Sequence, residues 1–218
     1  MAGENQSMNV SKPWQDLAKA RQERRPFNSS QSHAISRMLK RALDIIVAAG
    51  LLCLLSPFLL TVAAIITLCD RGPLFNFHIR VGYKGKEFGC LRFRTVNADA
   101  TPNPHVTVIG DILGRSGLDK LPQLINVLLG QMSLVGPRAI TKEELPRYGE
   151  HAHAYMTVRP GLTGHWRTGG RNDASYQNRL ALDAEYLSNW TLAWDFQIMA
   201  KTLSALLSRQ ALLPRLDS

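Results

Sequence analysis

The spacing of apolar and polar positions divides the chain into a polar start, one long apolar run and a mixed remainder. Residues 1 to 30 show no apolar periodicity and carry scattered charge with Pro13 and Pro26. That pattern predicts a disordered basic arm. It is not a signal peptide, because the apolar run begins too late and is too long. Ile45 to Cys69 then holds 25 residues without a charge, enough to cross a hydrocarbon core of about 30 Å as one helix. Ser56 and Pro57 stand at its middle. Proline there removes a backbone donor and crowds the carbonyl one turn earlier, which predicts a kink. Ser56 can re-bond a freed carbonyl, so such a break is tolerable in lipid. Arg37, Lys40 and Arg41 precede the run, and Arg71, Arg80, Lys84 and Lys86 follow it. Lys and Arg favour the cytoplasmic side. Cations on both flanks therefore favour a helix that dips into the bilayer and returns to the same face. A straight span and a buried core helix are the competing readings. The second suffers because the rest of the chain offers no comparable apolar surface to surround it.

Beyond Cys69 the pattern becomes that of a soluble domain. "PLFNFHIRVGYKGKEFGCLRFRTV" alternates around Gly82-Tyr83-Lys84-Gly85 and predicts a β-hairpin. Residues 100–105 form a loop by their prolines. A short amphipathic helix is expected from Leu121, stopping near Gly130, with a second tight turn at Val135-Gly136-Pro137-Arg138. Thr141 with Glu144 three residues on marks a helix start. Residues 159–173 form a glycine-rich loop, and 174–209 form a helical stretch. There Tyr186, Trp190 and Trp194 recur every four residues and share a face.

The length of 218 residues suits one compact domain with extra segments. Charge sharpens the picture: 26 Lys and Arg against 17 Asp and Glu leave +9. Such a balance favours an anionic partner, whether nucleic acid, phospholipid headgroups or a phosphorylated small molecule, or else a solvated basic face. A nucleic-acid binder explains the charge but not the broken apolar helix. Cys53, Cys69 and Cys90 lack metal-ligand spacing and read as reduced thiols in a cytosolic or membrane setting.

Arginines stand where the backbone turns sharply: Arg80, Arg92, Arg94, Arg115, Arg138, Arg159 and Arg171. A guanidinium held by a rigid turn matches phosphate oxygens in a two-point contact. Several converging would suit a diphosphate, whereas each taken singly is ordinary surface charge. Asp119 is the best nucleophile, since an aspartate can attack phosphorus and form an acyl phosphate. Its alternative is a helix cap ahead of Leu121-Pro122. No Walker loop, GxSxG elbow or His/Glu metal motif is present. His151 and His153, two residues apart, do not share a helix face and read as surface.

"KRALDIIVAAGLLCLLSPFLL", "RVGYKGKEFGCLRFRTV", "GLDKLPQLINVLLGQMSLVGPR" and "RPGLTGHWRTGGRND" together resemble the bacterial sugar transferases that start exopolysaccharide repeat units. These are the monotopic polyprenyl-phosphate phosphoglycosyl transferases, and the likeness is greatest to the short rhizobial type. It covers roughly residues 37 to 210. The resemblance implies an α+β, mostly helical fold: a re-entrant, Ser-Pro-broken membrane helix and a cytosolic helical domain with a small β-hairpin. The expected organisation is an N-terminal basic arm over 1–36, the membrane-inserted helix over 37–71, the transferase domain over 72–210 and a tail over 211–218. It implies an inner-membrane enzyme with its catalytic domain on the cytoplasmic face. Such an enzyme moves a sugar-1-phosphate of galactose or glucose type from a UDP-sugar to undecaprenyl phosphate and releases UMP. The resemblance places a covalent phosphosugar on Asp119, phosphate contacts on Arg94 and Arg138, and Mg2+ at Asp119; Arg92, Arg115 and Arg171 join them as candidate phosphate or nucleotide contacts. Implied partners are UDP-sugar, undecaprenyl phosphate, inner-membrane lipids and other polysaccharide-assembly proteins or a second copy, with no nucleic acid. The basic arm would meet acidic headgroups.

The departures from the family pattern cluster at the chemistry. Lys120 replaces the family glutamate beside Asp119, and Gly117 replaces a serine. Gly114 stands where the family has an arginine, Gln131 where it has an acid, and Ala139 where it has a proline. Lys120 removes a metal ligand that the resemblance implies and adds a charge that repels a metal. Two outcomes follow. Either Lys120 takes over part of the metal's role, keeping Asp119 ionised and neutralising the diphosphate, or the chain is a membrane-bound pseudoenzyme that regulates or partners an active transferase.

Overall fold

The computed structural model describes residues 30–69, 72–96, 106–168 and 176–207. The expected basic arm up to residue 29, the 100–105 loop, Arg171 and the tail lie outside the described residues. The chain divides into two compact units, 1–37 and 38–218. Of the first, only the start of a helix is described.

That helix, α1, runs from Ser30 to Cys69. Ser56 and Pro57 lie inside this helix, which continues past the proline. Side chains compensate for the proline. Pro57 cannot donate to the carbonyl of Cys53, and the Ser56 hydroxyl donates to that oxygen at 2.8 Å. Thr61 donates to the carbonyl of Pro57 at 2.8 Å. Both parts of α1 carry buried residues: Asp44 and Ala48 before the proline, Val62 and Ile66 after it. The stretch between is mostly exposed and apolar, including Leu54, Phe58 and Leu60. The helix is long and apolar enough to cross a membrane.

The hairpin forms as expected. Strand β1 (Phe75–Val81) pairs antiparallel with β2 (Glu87–Phe93), from Phe75 opposite Phe93 to Val81 opposite Glu87. Successive strand residues face opposite sides. Phe88 and Cys90 turn into the core, and Arg92 continues their face.

Helix α2 (Val108–Ser116) starts at Thr107, whose hydroxyl accepts from the Gly110 N–H at 2.9 Å. It ends at Gly117, φ 77°, a left-handed conformation that costs a side chain energy but suits glycine. A tight turn over Leu118–Lys120 follows, then α3 (Gln123–Leu128). The stop at Gly130 is as expected, with φ 79°.

Two strands were not foreseen. β3 (Ser133–Val135) pairs in parallel with β4 (Gly161–Thr163). Three residues are too few for alternation to show, and a parallel partner lies far along the chain. The pairing depends on Gly161, where a Cβ would stand 2.1 Å from the Gly136 nitrogen. Within the expected glycine-rich loop the chain thus forms β4 and a short helix, α5 (His165–Thr168). Thr141 and Glu144 exchange the expected reciprocal bonds at 3.3 and 3.0 Å. They open a single turn over Leu145–Tyr148, and α4 (His151–Met156) follows.

The final helical stretch is two helices, α6 (Tyr176–Asn189) and α7 (Leu192–Leu207). It breaks at Trp190-Thr191, where the Thr191 hydroxyl accepts from the Trp194 N–H at 3.2 Å. Tyr186 and Trp194 still meet, their ring centroids 5.7 Å apart, in the core around Leu124, Val127 and Ile198. A buried carboxylate joins α1 to this core: Asp44 accepts from the Ser133 hydroxyl at 2.8 Å and the Leu134 N–H at 3.1 Å.

Candidate active site

The turn after Gly117 places Asp119 where its carboxylate is covered by protein, with 6% of the residue exposed. One oxygen, Oδ2, lies 3.7 Å from Arg92 Nη1. The other, Oδ1, is buried with no hydrogen-bond partner among the described residues. Asp119 does not cap α3, whose first flanking residue is Pro122 and which receives no side-chain cap. A buried carboxylate oxygen without a partner is costly. It is therefore a feature to be explained by chemistry and not by stability.

Cations surround it. Lys120, half-buried, has its pKa lowered by loss of solvent, opposed by Asp119 and reinforced by Arg167 and Arg92. Arg167, on α5, comes within 3.4 Å of the place a Cβ on Gly117 would occupy. Cys90, on the Arg92 face of β2, is held as a neutral thiol: burial raises its pKa against the pull of Arg92, Arg80 and Lys120. His78, across from Cys90 in β1, has its pKa lowered by burial and then by Arg92 and Arg80.

Asn126 of α3 aligns the strand that carries Arg92. Its Oδ1 accepts from the Leu91 N–H at 3.0 Å, and its Nδ2 donates to the Gly89 carbonyl at 2.8 Å and to Gln131 Oε1 at 2.6 Å. Gln131 thus supplies an acceptor, as a carboxylate at that position would. Gly114 is exposed, and a Cβ there meets nothing within 4 Å.

The other arginines divide. Arg94 is buried near the strand end, its N–H bonded to the Leu74 carbonyl at 3.0 Å. Arg115 pairs with Asp111 on its own helix at 2.7 Å, largely exposed. Arg138 bonds Glu144 at 3.1 Å, and Arg80 reaches the same carboxylate at 3.5 Å. Arg159 donates to the Gly130 carbonyl at 2.7 Å and lies over the Tyr83 ring. Sequence reasoning singled out neither Arg167 nor Asn126. Arg167 was legible only as one more cation beside glycines; Asn126 lies inside an apolar run, where a lone amide is itself a signal of a buried bond.

The described residues around Asp119 do not make a site for a divalent cation held by the protein. Magnesium takes near-octahedral oxygen ligation. Among the described residues one carboxylate stands with Arg92, Lys120 and Arg167. Among the described residues no group of three or more His, Cys, Asp or Glu could hold a metal.

The buried Asp119 carboxylate thus sits in a basic setting, on a turn beside a hairpin strand and a short helix. The family described as bacterial sugar transferase matches residues 35–209. The chain belongs to this family. It is 39% identical over 204 residues to exopolysaccharide production protein ExoY of Rhizobium meliloti strain 1021, covering 83% of this chain and 90% of that protein. It is 37% identical over 198 residues to an undecaprenyl-phosphate galactose phosphotransferase of Salmonella typhimurium strain LT2, covering 80% of this chain and 41% of the relative. A UDP-glucose:undecaprenyl-phosphate glucose-1-phosphate transferase of Escherichia coli strain K12 is 35% identical over 197 residues, with 82% and 42% covered. This bacterial sugar transferase thus aligns with nearly all of the short relative and with about two fifths of the long ones.

Proposed function

We propose that this chain transfers a sugar-1-phosphate from a UDP-sugar to undecaprenyl phosphate, as the first membrane step of exopolysaccharide synthesis. The observation that carries the reading is the Asp119 carboxylate: covered, without a partner for Oδ1 among the described residues, and faced by Arg92. The names of the relatives supply the substrate classes. Asp119 attacks the phosphorus that bears the sugar. A P–O bond to the carboxylate forms, the diphosphate P–O bond breaks, and UMP leaves with the bonding pair. An oxygen of undecaprenyl phosphate then attacks the same phosphorus. The acyl phosphate opens, Asp119 is regenerated, and the sugar remains on an undecaprenyl diphosphate. Arg92 and Lys120 offset the charge that otherwise repels an incoming carboxylate from the diphosphate.

The acceptor places the reaction at a membrane. α1 supports a seat in the inner membrane: the helix packs on the domain before and after Pro57 and exposes apolar side chains between. In this reading the exposed stretch dips into the leaflet and the transferase domain stays on the cytoplasmic face. The test is exchange of labelled UMP into UDP-sugar without lipid, followed by transfer to undecaprenyl phosphate. Both are expected in the natural protein and absent in Asp119→Asn. Absence of exchange and transfer across a panel of UDP-sugars would replace this reading with that of a pseudoenzyme, which Lys120 beside the nucleophile favours.

A further inference from the structure

The local charge around Asp119 is opposite to that of a metal site. Arg92 lies 3.7 Å from the carboxylate, Lys120 is its chain neighbour, and Arg167 reaches the turn at Gly117. Among the described residues the cations at this turn outnumber its one carboxylate, and the positive charges are those of Arg92, Lys120 and Arg167. A sugar nucleotide's diphosphate carries two negative ones. The cations are also placed for an incoming ligand. The side chain of Arg92 keeps 32% of its surface exposed while that of Asp119 keeps 8%. Lys120 and Arg167 are likewise only partly covered. Two buried polar atoms point to a missing ligand: Asp119 Oδ1 and Arg92 Nε both lack a hydrogen-bond partner among the described residues. From the described side chains of this cluster a divalent cation meets more repulsion than attraction. A diphosphate meets the reverse.

We propose that Arg92, Lys120 and Arg167 hold the diphosphate of the sugar nucleotide directly, so that donor binding by this chain needs no divalent cation. The Arg167 guanidinium lies against the turn that carries Asp119, 3.4 Å from where a Cβ on Gly117 would stand, which is ordinary contact distance. The guanidinium fork of Arg92 supplies two-point contact with phosphate oxygens, and the Lys120 ammonium supplies a point charge. The inference rests on the reading of the site as one for a UDP-sugar.

The experiment measures binding of UDP-glucose and UDP-galactose to the full chain in detergent, by calorimetry, in EDTA and in millimolar Mg2+. Transfer to undecaprenyl phosphate is assayed on the same preparation. For the natural protein, the Kd of the bound sugar nucleotide should agree within about threefold between the two conditions. Lys120→Met, which keeps the apolar stem, and Arg92→Gln should each weaken binding about tenfold or more in EDTA. Lys120→Glu should become metal-dependent, binding at least about tenfold better with Mg2+ than in EDTA, because it replaces a cation with an anion and adds an oxygen donor. A merely structural lysine would not produce that switch. A natural protein whose binding falls tenfold in EDTA and returns with Mg2+ overturns the inference but leaves the proposed function, provided transfer occurs with Mg2+. The inference is overturned in the same way if Lys120→Met and Arg92→Gln bind like the natural protein. No binding and no transfer in either condition overturns both.

Discussion

Truncating Asn126 to alanine tests how the hairpin is held against the site. Asn126 is 1% exposed. Its amide makes three bonds, to the Leu91 N–H, the Gly89 carbonyl and Gln131 Oε1. A typical hydrogen bond contributes about 1 kcal/mol net, and a stranded buried partner costs about 1–3 kcal/mol. The three partners are half-buried and regain some water. The expected loss is therefore about 3 kcal/mol, which for a chain of this size lowers Tm by about 6–12 °C. Four native tryptophans allow the melt to be followed by fluorescence in detergent without an added probe. Gln131→Ala removes one of the three bonds and should cost about 1 kcal/mol. Because Leu91 precedes Arg92, Asn126→Ala should also weaken sugar-nucleotide binding, while Gln131→Ala leaves it near normal. A shift under about 3 °C for Asn126→Ala, or an equal shift for Gln131→Ala, refutes the idea that this amide fixes the strand.

Lys40→Met should cost about 3 kcal/mol, because Asp195, 3% exposed, then loses its cation at 2.6 Å and, among the described residues, keeps the Tyr186 hydroxyl and Trp190 indole as donors. The check is a thermal melt together with the proteolysis rate of α7, which should rise. Asp183 carries the pH dependence. Burial raises its pKa from 3.8 to about 7, against the bonds from Tyr148 and the Arg138 N–H. A raised folded-state pKa gives stability that is complete below 3.8 and declines as pH rises toward about 7, with a slope of at most about 1.4 kcal/mol per unit. Melts of Asp183→Asn between pH 5 and 8 should therefore be flatter than those of the natural protein; parallel curves would remove Asp183 as the cause. Gly117→Ser should cost about 1 kcal/mol for a side chain at φ 77°, seen as a Tm drop of about 2–4 °C.

The sequence alone determined the features written in local spacing. The charge-free run marked α1 because a helix in lipid needs unbroken apolar length, and Ser56 bonds the carbonyl that Pro57 leaves free. Alternation around a glycine turn marked the hairpin, and the spacing of Thr141 and Glu144 marked the reciprocal bonds that open the turn over Leu145–Tyr148. The order of four motifs was enough for the family. Asp119 stood out by residue type and position. Its freedom from capping appeared only once Pro122 was seen to flank α3 without help. Tertiary structure decided the rest, because long-range contacts leave no local period. The β3–β4 pair joins segments 28 positions apart through three residues each. The break at Trp190-Thr191 follows from a threonine cap that helical periodicity conceals. Above all, the fate of each arginine was decided by what the fold brings beside it. Arg138 and Arg80 meet Glu144, Arg115 meets Asp111, and Arg92 meets Asp119. A cation's sequence neighbours do not reveal which carboxylate it will reach, since Coulomb attraction acts through space and not along the chain.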